Sequence, residues 1–152
     1  IVVLEGVSIS GNVGAIVRTA RALGAGGLVL LGDDPIDVYD RRLIRASRGH
    51  VFSLPVVACD TPALLGFCRQ HGLGVLVTTP HADTPIERIA TLPQRLAVVF
   101  GSEKRGCSAE LLEAATLRVA IPMVPEVESL NVSAAAGIVL FLRAGSNRLA
   151  PG

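Results

Sequence analysis

The sequence predicts an α/β fold, a mostly parallel sheet flanked by helices. Two observations carry that prediction. Strand-like and helix-like patterns alternate along the whole chain, and the apolar runs 75–78 and 96–100 are rich in β-branched residues, as in strands buried on both faces. The 152 residues suffice for one domain with a real core, and half of them are apolar with only 18% charged, which excludes intrinsic disorder.

The elements follow in order. Ile1-Val2-Val3-Leu4 is a first strand, and after a Gly/Ser loop the spacing of Val13, Ile16, Val17, Ala20 and Leu23 predicts a helix over 13–23. Asn12 is placed to cap it. Residues 27–31 form a second strand, followed by an Asp-rich turn and a short basic helix over 41–47. Thr61-Pro62 opens a helix by N-cap and first-turn chemistry that runs to about Gln70, where Gly72 stops it. After the two buried strands come a helix over 108–115, a strand over 118–121 and a last helix over 131–143, which Ser129 or Asn131 can cap. That helix is apolar nearly all round, so it belongs in a core or a subunit interface. An obligate homodimer is expected, with Leu140 on the interface face.

Several classes are excluded. No apolar run approaches the ~20 residues of a membrane-spanning helix. No targeting signal is visible at the start, which reads as the body of a domain, and a cytoplasmic protein is expected. Cys59, Cys68 and Cys107 suggest neither a disulfide framework nor a zinc site, and His50, His71 and His81 lack ligand spacing, so no metal is expected. The glycines Gly6, Gly11 and Gly14 do not make a dinucleotide fingerprint or a phosphate loop.

The net charge of +1 hides an uneven distribution: all basic residues but Lys104 are arginines, and Arg41, Arg42, Arg45 and Arg48 crowd one stretch. Arginine offers a planar fork for phosphate or carboxylate. With four Phe, one Tyr and no Trp, material for base stacking is scarce, so a nucleic acid would be gripped by its backbone.

Three segments carry candidate chemistry. Arg18 points away from the apolar face of its helix, which is also where a merely solvated arginine would point. Phe100-Gly101-Ser102-Glu103-Lys104-Arg105-Gly106 ends a buried strand in a small, polar turn, the place where open α/β sheets hold ligands. Ile121-Pro122-Met123-Val124-Pro125 leads through Ser129-Leu130-Asn131 into the last helix.

Together, Asn12 to Ala20, Val99 to Glu103 with Ile121 to Met123, and Ser129 to Ala135 resemble the three motifs of the SpoU family, S-adenosylmethionine-dependent RNA 2′-O-ribose methyltransferases. Residues 40–55 resemble in particular the thiostrepton/nosiheptide-resistance branch, which methylates large-subunit ribosomal RNA. The resemblance implies a C-terminal trefoil knot, a homodimer and an RNA partner, with 1–152 as the catalytic domain and an N-terminal RNA-binding domain lying outside it. It implies catalytic roles for Arg18, Asn12, Glu103, Asn131 and Ser129, with the first as base or electrostatic activator held by its polar neighbours. Thr78, Gly101, Ile121, Met123 and Leu130 would cradle the cofactor. Arg18, Arg41 and Arg48 would bind RNA, although Arg48 could instead pair with Asp33 or Asp37. The turn after Glu103, Lys104-Arg105-Gly106-Cys107, departs from the branch, which has a second Gly and a Pro there. A transfer RNA target and a non-catalytic RNA-binding module are the alternatives.

Overall fold

The computed structural model describes residues 1–82, 84–92 and 95–148. Six strands form one sheet: β1 (Val2–Glu5), β2 (Leu28–Leu31), β3 (Val56–Cys59), β4 (Gly74–Thr78), β5 (Leu96–Gly101) and β6 (Leu117–Val119). Their order is β3-β2-β1-β5-β4-β6, and each neighbouring pair is parallel. Five α-helices cover it: α1 (Ser10–Ala22), α2 (Arg41–Ala46), α3 (Thr61–His71), α4 (Ala109–Ala114) and α5 (Val132–Arg148).

Alternation along the strands builds two cores. Val2 and Leu4 of β1 pack with Val13, Ile16 and Val17 of α1 and Val132, Ala136 and Val139 of α5. Val3, between them in sequence, joins Leu64 and Cys68 of α3 and Leu111 of α4 on the opposite face. The apolar stripe read for α1 is thus the buried one, and Leu23 packs at its end. Gly14 lets α2 approach: a Cβ there would sit 2.5 Å from the Ala46 Cβ and 2.8 Å from the Ser47 nitrogen.

Four local expectations are corrected. Helix α1 starts at Ser10 behind Ile9, which gives no side-chain cap, so Asn12 lies inside the first turn and does not cap. The edge strand β3 and a 3₁₀ helix, Ile86–Thr91, were not expected. Strand β6 ends at Val119, which leaves Ile121 in the following loop. Helix α5 continues to Arg148, and its faces differ: Leu140 is 6% exposed in the monomer core, whereas Phe141 is 68% exposed. Leu140 is therefore not on an outer face.

The connection order sets the site. The chain builds outward from β1 to β2 and β3, then returns on the other side through β4 and β5. The switch falls between β1 and β5, where Glu5 is in register with Gly101. Crevices beyond the carboxyl ends of strands at such a switch are the usual ligand sites of open α/β sheets.

Candidate active site

Strand β5 delivers Gly101 to this crevice and then turns back sharply. The Gly106 nitrogen donates to the Ser102 carbonyl at 2.8 Å, and the Arg105 nitrogen donates to Ser102 Oγ at 3.2 Å. The turn folds so tightly that a Cβ on Gly101 would lie 2.2 Å from the Gly106 carbonyl carbon, and only glycine fits. Its tip presents Glu103.

Glu103 is the meeting point of three distant segments. Its Oε1 accepts from Asn131 Nδ2 at 2.9 Å, from Asn12 Nδ2 at 3.4 Å and from the Val132 nitrogen at 3.3 Å. Asn131 Nδ2 also donates to Asn12 Oδ1 at 3.1 Å. Asn131 Oδ1 in turn accepts from the Ser133 nitrogen at 2.9 Å, which makes Asn131 the cap of α5, as expected. Freed from capping, the Asn12 side chain reaches this network instead. A carboxylate at the N-terminus of a 17-residue helix is also favoured by the helix dipole.

Beside the network opens a cavity of about 440 Å³. All five residues read as cofactor ligands line it: Thr78, Gly101, Ile121, Met123 and Leu130, with Ser129 and Glu103 at its wall. Thr78 Oγ1 donates to the Val99 carbonyl at 2.9 Å, so this hydroxyl fixes the end of β4 against β5. Ser129 is exposed at the wall and makes no hydrogen bond to the Asn12–Glu103–Asn131 network. Thr79 and His81, also in the lining, were missed. The strand-end rule that singled out the turn after β5 applies equally to the end of β4. Cys107 packs here as a small core residue: burial, then the Glu5 carboxylate, pushes its thiol up to about 12. A thiol so raised is no nucleophile at neutral pH.

The remaining predicted residues lie elsewhere. Arg18 is exposed on α1 and makes no hydrogen bond or ion pair among the described residues. It stands six residues beyond Asn12, about 9 Å along the helix axis. The polar network therefore does not hold it within one chain, contrary to expectation. Arg41 opens α2 and is exposed. Arg48 is exposed at a φ of 52° and pairs with neither Asp33 nor Asp37.

A cavity of this size, lined by apolar Ile121, Met123 and Leu130 together with the polar Thr78, Ser129 and Glu103, suits a small organic ligand with apolar and polar parts. Comparison with known proteins agrees. Residues 1–141 match the model of the SpoU rRNA methylase family. The chain belongs to this family. The 23S rRNA (adenosine(1067)-2′-O)-methyltransferase of Streptomyces laurentii is 49% identical over 99% of this chain and 56% of its own length. Its namesake in Streptomyces azureus is 47% identical over 97% and 55%. The crystal structure of the SpoU methyltransferase AviRb from Streptomyces viridochromogenes, in complex with the cofactor AdoMet, superposes with a TM-score of 0.85 at 30% identity, over 99% of this chain and 58% of that one. The chain spans about half the length of the curated relatives it matches. In this chain the network of Asn12, Glu103 and Asn131 joins three segments far apart in sequence at one point.

Proposed function

We propose that residues 1–152 are the catalytic domain of an S-adenosylmethionine-dependent RNA 2′-O-ribose methyltransferase acting on large-subunit ribosomal RNA. The observation that carries this reading is the Glu103 carboxylate bonded by Asn12 and Asn131 at the edge of the switch-point cavity. The identity to 23S rRNA 2′-O-methyltransferases supports the RNA class.

S-adenosylmethionine, when bound, supplies an electrophilic methyl group on a sulfonium. Gly101, Ile121, Met123 and Leu130 would hold it through backbone and apolar contacts, with Thr78 keeping the floor rigid. The chain's own task is to ready the ribose hydroxyl, a poor nucleophile at pH 7. Asn12, Asn131 and Ser129 offer polar groups to orient the ribose beside Glu103. Arg18 stabilises the developing alkoxide while the hydroxyl proton passes to a nearby RNA phosphate oxygen or to water, because a guanidinium resists deprotonation and acts best as a fixed charge. Arg41 and Arg48 grip RNA phosphates.

The reading extends to assembly and location. Ile138 and Phe141 expose an apolar strip on α5, at 39% and 68%, and this supports a homodimer closed through α5, with an RNA surface built from both copies. Likeness to solved SpoU chains supports a trefoil knot formed by the 120–131 segment and α5. A ribosomal substrate supports a cytoplasmic location; no helix among the described residues is long and apolar enough to cross a membrane. Titration calorimetry with S-adenosylmethionine tests the core of the proposal, and one site per chain is expected. No heat at millimolar ligand from a folded sample overturns it. Mapping 2′-O-methylation on total RNA then identifies the nucleotide.

A further inference from the structure

Two of the chain's five aromatic side chains form a pair on the surface, outside both cores. The Tyr39 and Phe52 rings lie with centroids 6.0 Å apart at 37°, and they are 71% and 60% exposed. Tyr39 stands just before α2 and Phe52 closes the 3₁₀ turn His50–Phe52 beyond it. Their contact therefore brackets the segment that carries Arg41, Arg42, Arg45 and Arg48, all exposed. Arg41 and Arg45 are one turn apart on one face of α2.

Three features make this surface a built one. The acids nearest it are engaged: Asp40 Oδ1 accepts from the Leu43 nitrogen at 2.8 Å and from Ser10 Oγ at 3.3 Å, and Asp37 Oδ1 accepts from the Tyr39 nitrogen at 2.9 Å. None of the four arginines forms a salt bridge among the described residues, although the Asp40 carboxyl, held below its ordinary value first by the Leu43 N–H, also feels the charge of Arg42. Finally, Arg48 occupies a left-handed position just past the end of α2, where the Gly49 nitrogen closes back to the Ile44 carbonyl at 2.9 Å. Helix ends of this kind ordinarily take glycine, so an arginine held there at a cost in backbone strain points to use of its side chain.

The surface is also tied to the catalytic network. Ser10, bonded to Asp40, opens the same helical turn that carries Asn12. Gly14, one turn further, packs against Ala46 and Ser47 at the end of α2.

We propose that Tyr39, backed by Phe52, is a stacking platform for an unpaired base of the RNA substrate, with Arg41, Arg42, Arg45 and Arg48 holding the flanking phosphates. This rests on the RNA-methyltransferase reading and adds single-stranded recognition within the catalytic domain. Aromatic faces with interleaved arginines take unpaired bases of any sequence, whereas a duplex buries its base faces and offers phosphate alone. The scarcity of aromatics in the sequence suggested grip on the backbone only; the pairing of two of them here changes that expectation.

The test uses the full 152-residue chain and two fluorescein-labelled probes, a 12-nucleotide oligouridine and a 12-base-pair RNA duplex. Tyr39→Ala should weaken oligouridine binding roughly tenfold, within the range of one lost base stack, and change duplex binding less than twofold. Tyr39→Phe should restore it. Arg45→Gln should weaken both probes and lower the salt slope by about one, a slope Tyr39→Ala leaves alone. Because both side chains are exposed, thermal unfolding of the variants should match the wild type. Equal loss on both probes for Tyr39→Ala, no loss on either, or a wild type that binds neither RNA each overturns the platform. Calorimetric binding of S-adenosylmethionine by the same samples judges the methyltransferase reading separately. A surface that ignores RNA but is protected by a protein partner would give the second or third of those outcomes.

Discussion

Asn131 Nδ2 donates to Glu103 Oε1 at 2.9 Å, joining the cap of the last helix to the turn after the central strand. The same oxygen also accepts from Asn12 Nδ2 and from the α5 backbone at Val132. Substituting Glu103 by Gln keeps an acceptor in place but removes the charge. Glu103→Gln should therefore fold normally and lower single-turnover methyl transfer about 10²-fold. Glu103→Ala removes the acceptor of three donors, but the two amide donors are reachable by water, so activity should be lost while stability falls by only about 0.5–1.5 kcal/mol. Activity of the Gln variant within about threefold of wild type would remove the carboxylate from the mechanism.

Arg18 tests the same reading from the other side. It is exposed and makes no hydrogen bond or ion pair among the described residues, so truncation creates no cavity. Arg18→Ala is expected to leave the unfolding midpoint and calorimetric cofactor affinity unchanged. Methyl transfer should fall ~10²–10³-fold, the usual loss for one charge-stabilising group. A variant with normal turnover disproves the assignment.

Gly101→Ala probes the cavity floor. The added methyl would meet the Gly106 carbonyl carbon at 2.2 Å and the Cys107 nitrogen at 2.5 Å, both backbone atoms that cannot swing aside. The turn must open, at a cost of about 1–3 kcal/mol. Urea unfolding should shift accordingly, and cofactor affinity should drop more than tenfold. Wild-type affinity in this variant would mean that the turn does not form the binding wall.

What could be read in the sequence was chemistry with strong local punctuation. Glu103 stood out because a buried strand broke into Gly-Ser-Glu, and Asn131 because it preceded an apolar helical run. Asn12 reads as a cap from its own neighbours and as a site residue only through the family resemblance; its bonds to Glu103 and Asn131 exist only once those segments fold beside it. Strand β3 escaped because it is four residues long at a sheet edge, with Val57 and Ala58 exposed, so neither length nor alternation marks it. Arg143 reads in the sequence as the terminus of the last helix, the first charge after a long apolar run. It is 9% exposed and donates to the Ile89 and Leu92 carbonyls, which fastens the unforeseen 3₁₀ segment to α5. Contacts between segments some 50 residues apart leave no periodicity to read.

Cys107 supplies a pH test. Burial and then Glu5 disfavour its thiolate, so the native thiol titrates near 12 while the unfolded one titrates near 9. At pH 8 the native thiol is almost wholly protonated, and disulfide reagents should modify Cys107 far more slowly than in urea. The linkage has a definite sign. Between about pH 9 and 12 the unfolded thiol loses its proton first, so this group's contribution to stability falls as pH rises. Cys107→Ser should flatten that part of the stability profile; an unchanged slope would show that the thiol ionises normally in the fold.

The two neighbours Leu140 and Phe141 separate core from interface on α5. Leu140 packs with Val2, Ile16 and Val98 in the same cluster, so a carboxylate there would be buried without a partner. Leu140→Glu should fail to fold stably, since such burial costs several kcal/mol. It therefore says nothing about assembly. Phe141, about 100° further round the helix, is exposed and in a monomer gives a large ring to water. Phe141→Glu should leave the isolated chain's circular dichroism and unfolding midpoint unchanged, within about 0.5 kcal/mol. In a homodimer closed through α5, the same change sets two carboxylates into an apolar contact and drives dissociation. Sedimentation velocity at micromolar concentration should then show a dimer for the wild type and a folded monomer for Phe141→Glu, with methyl transfer lost. A wild type that sediments as a fully active monomer, or a Phe141→Glu variant that remains dimeric, refutes assembly through this helix.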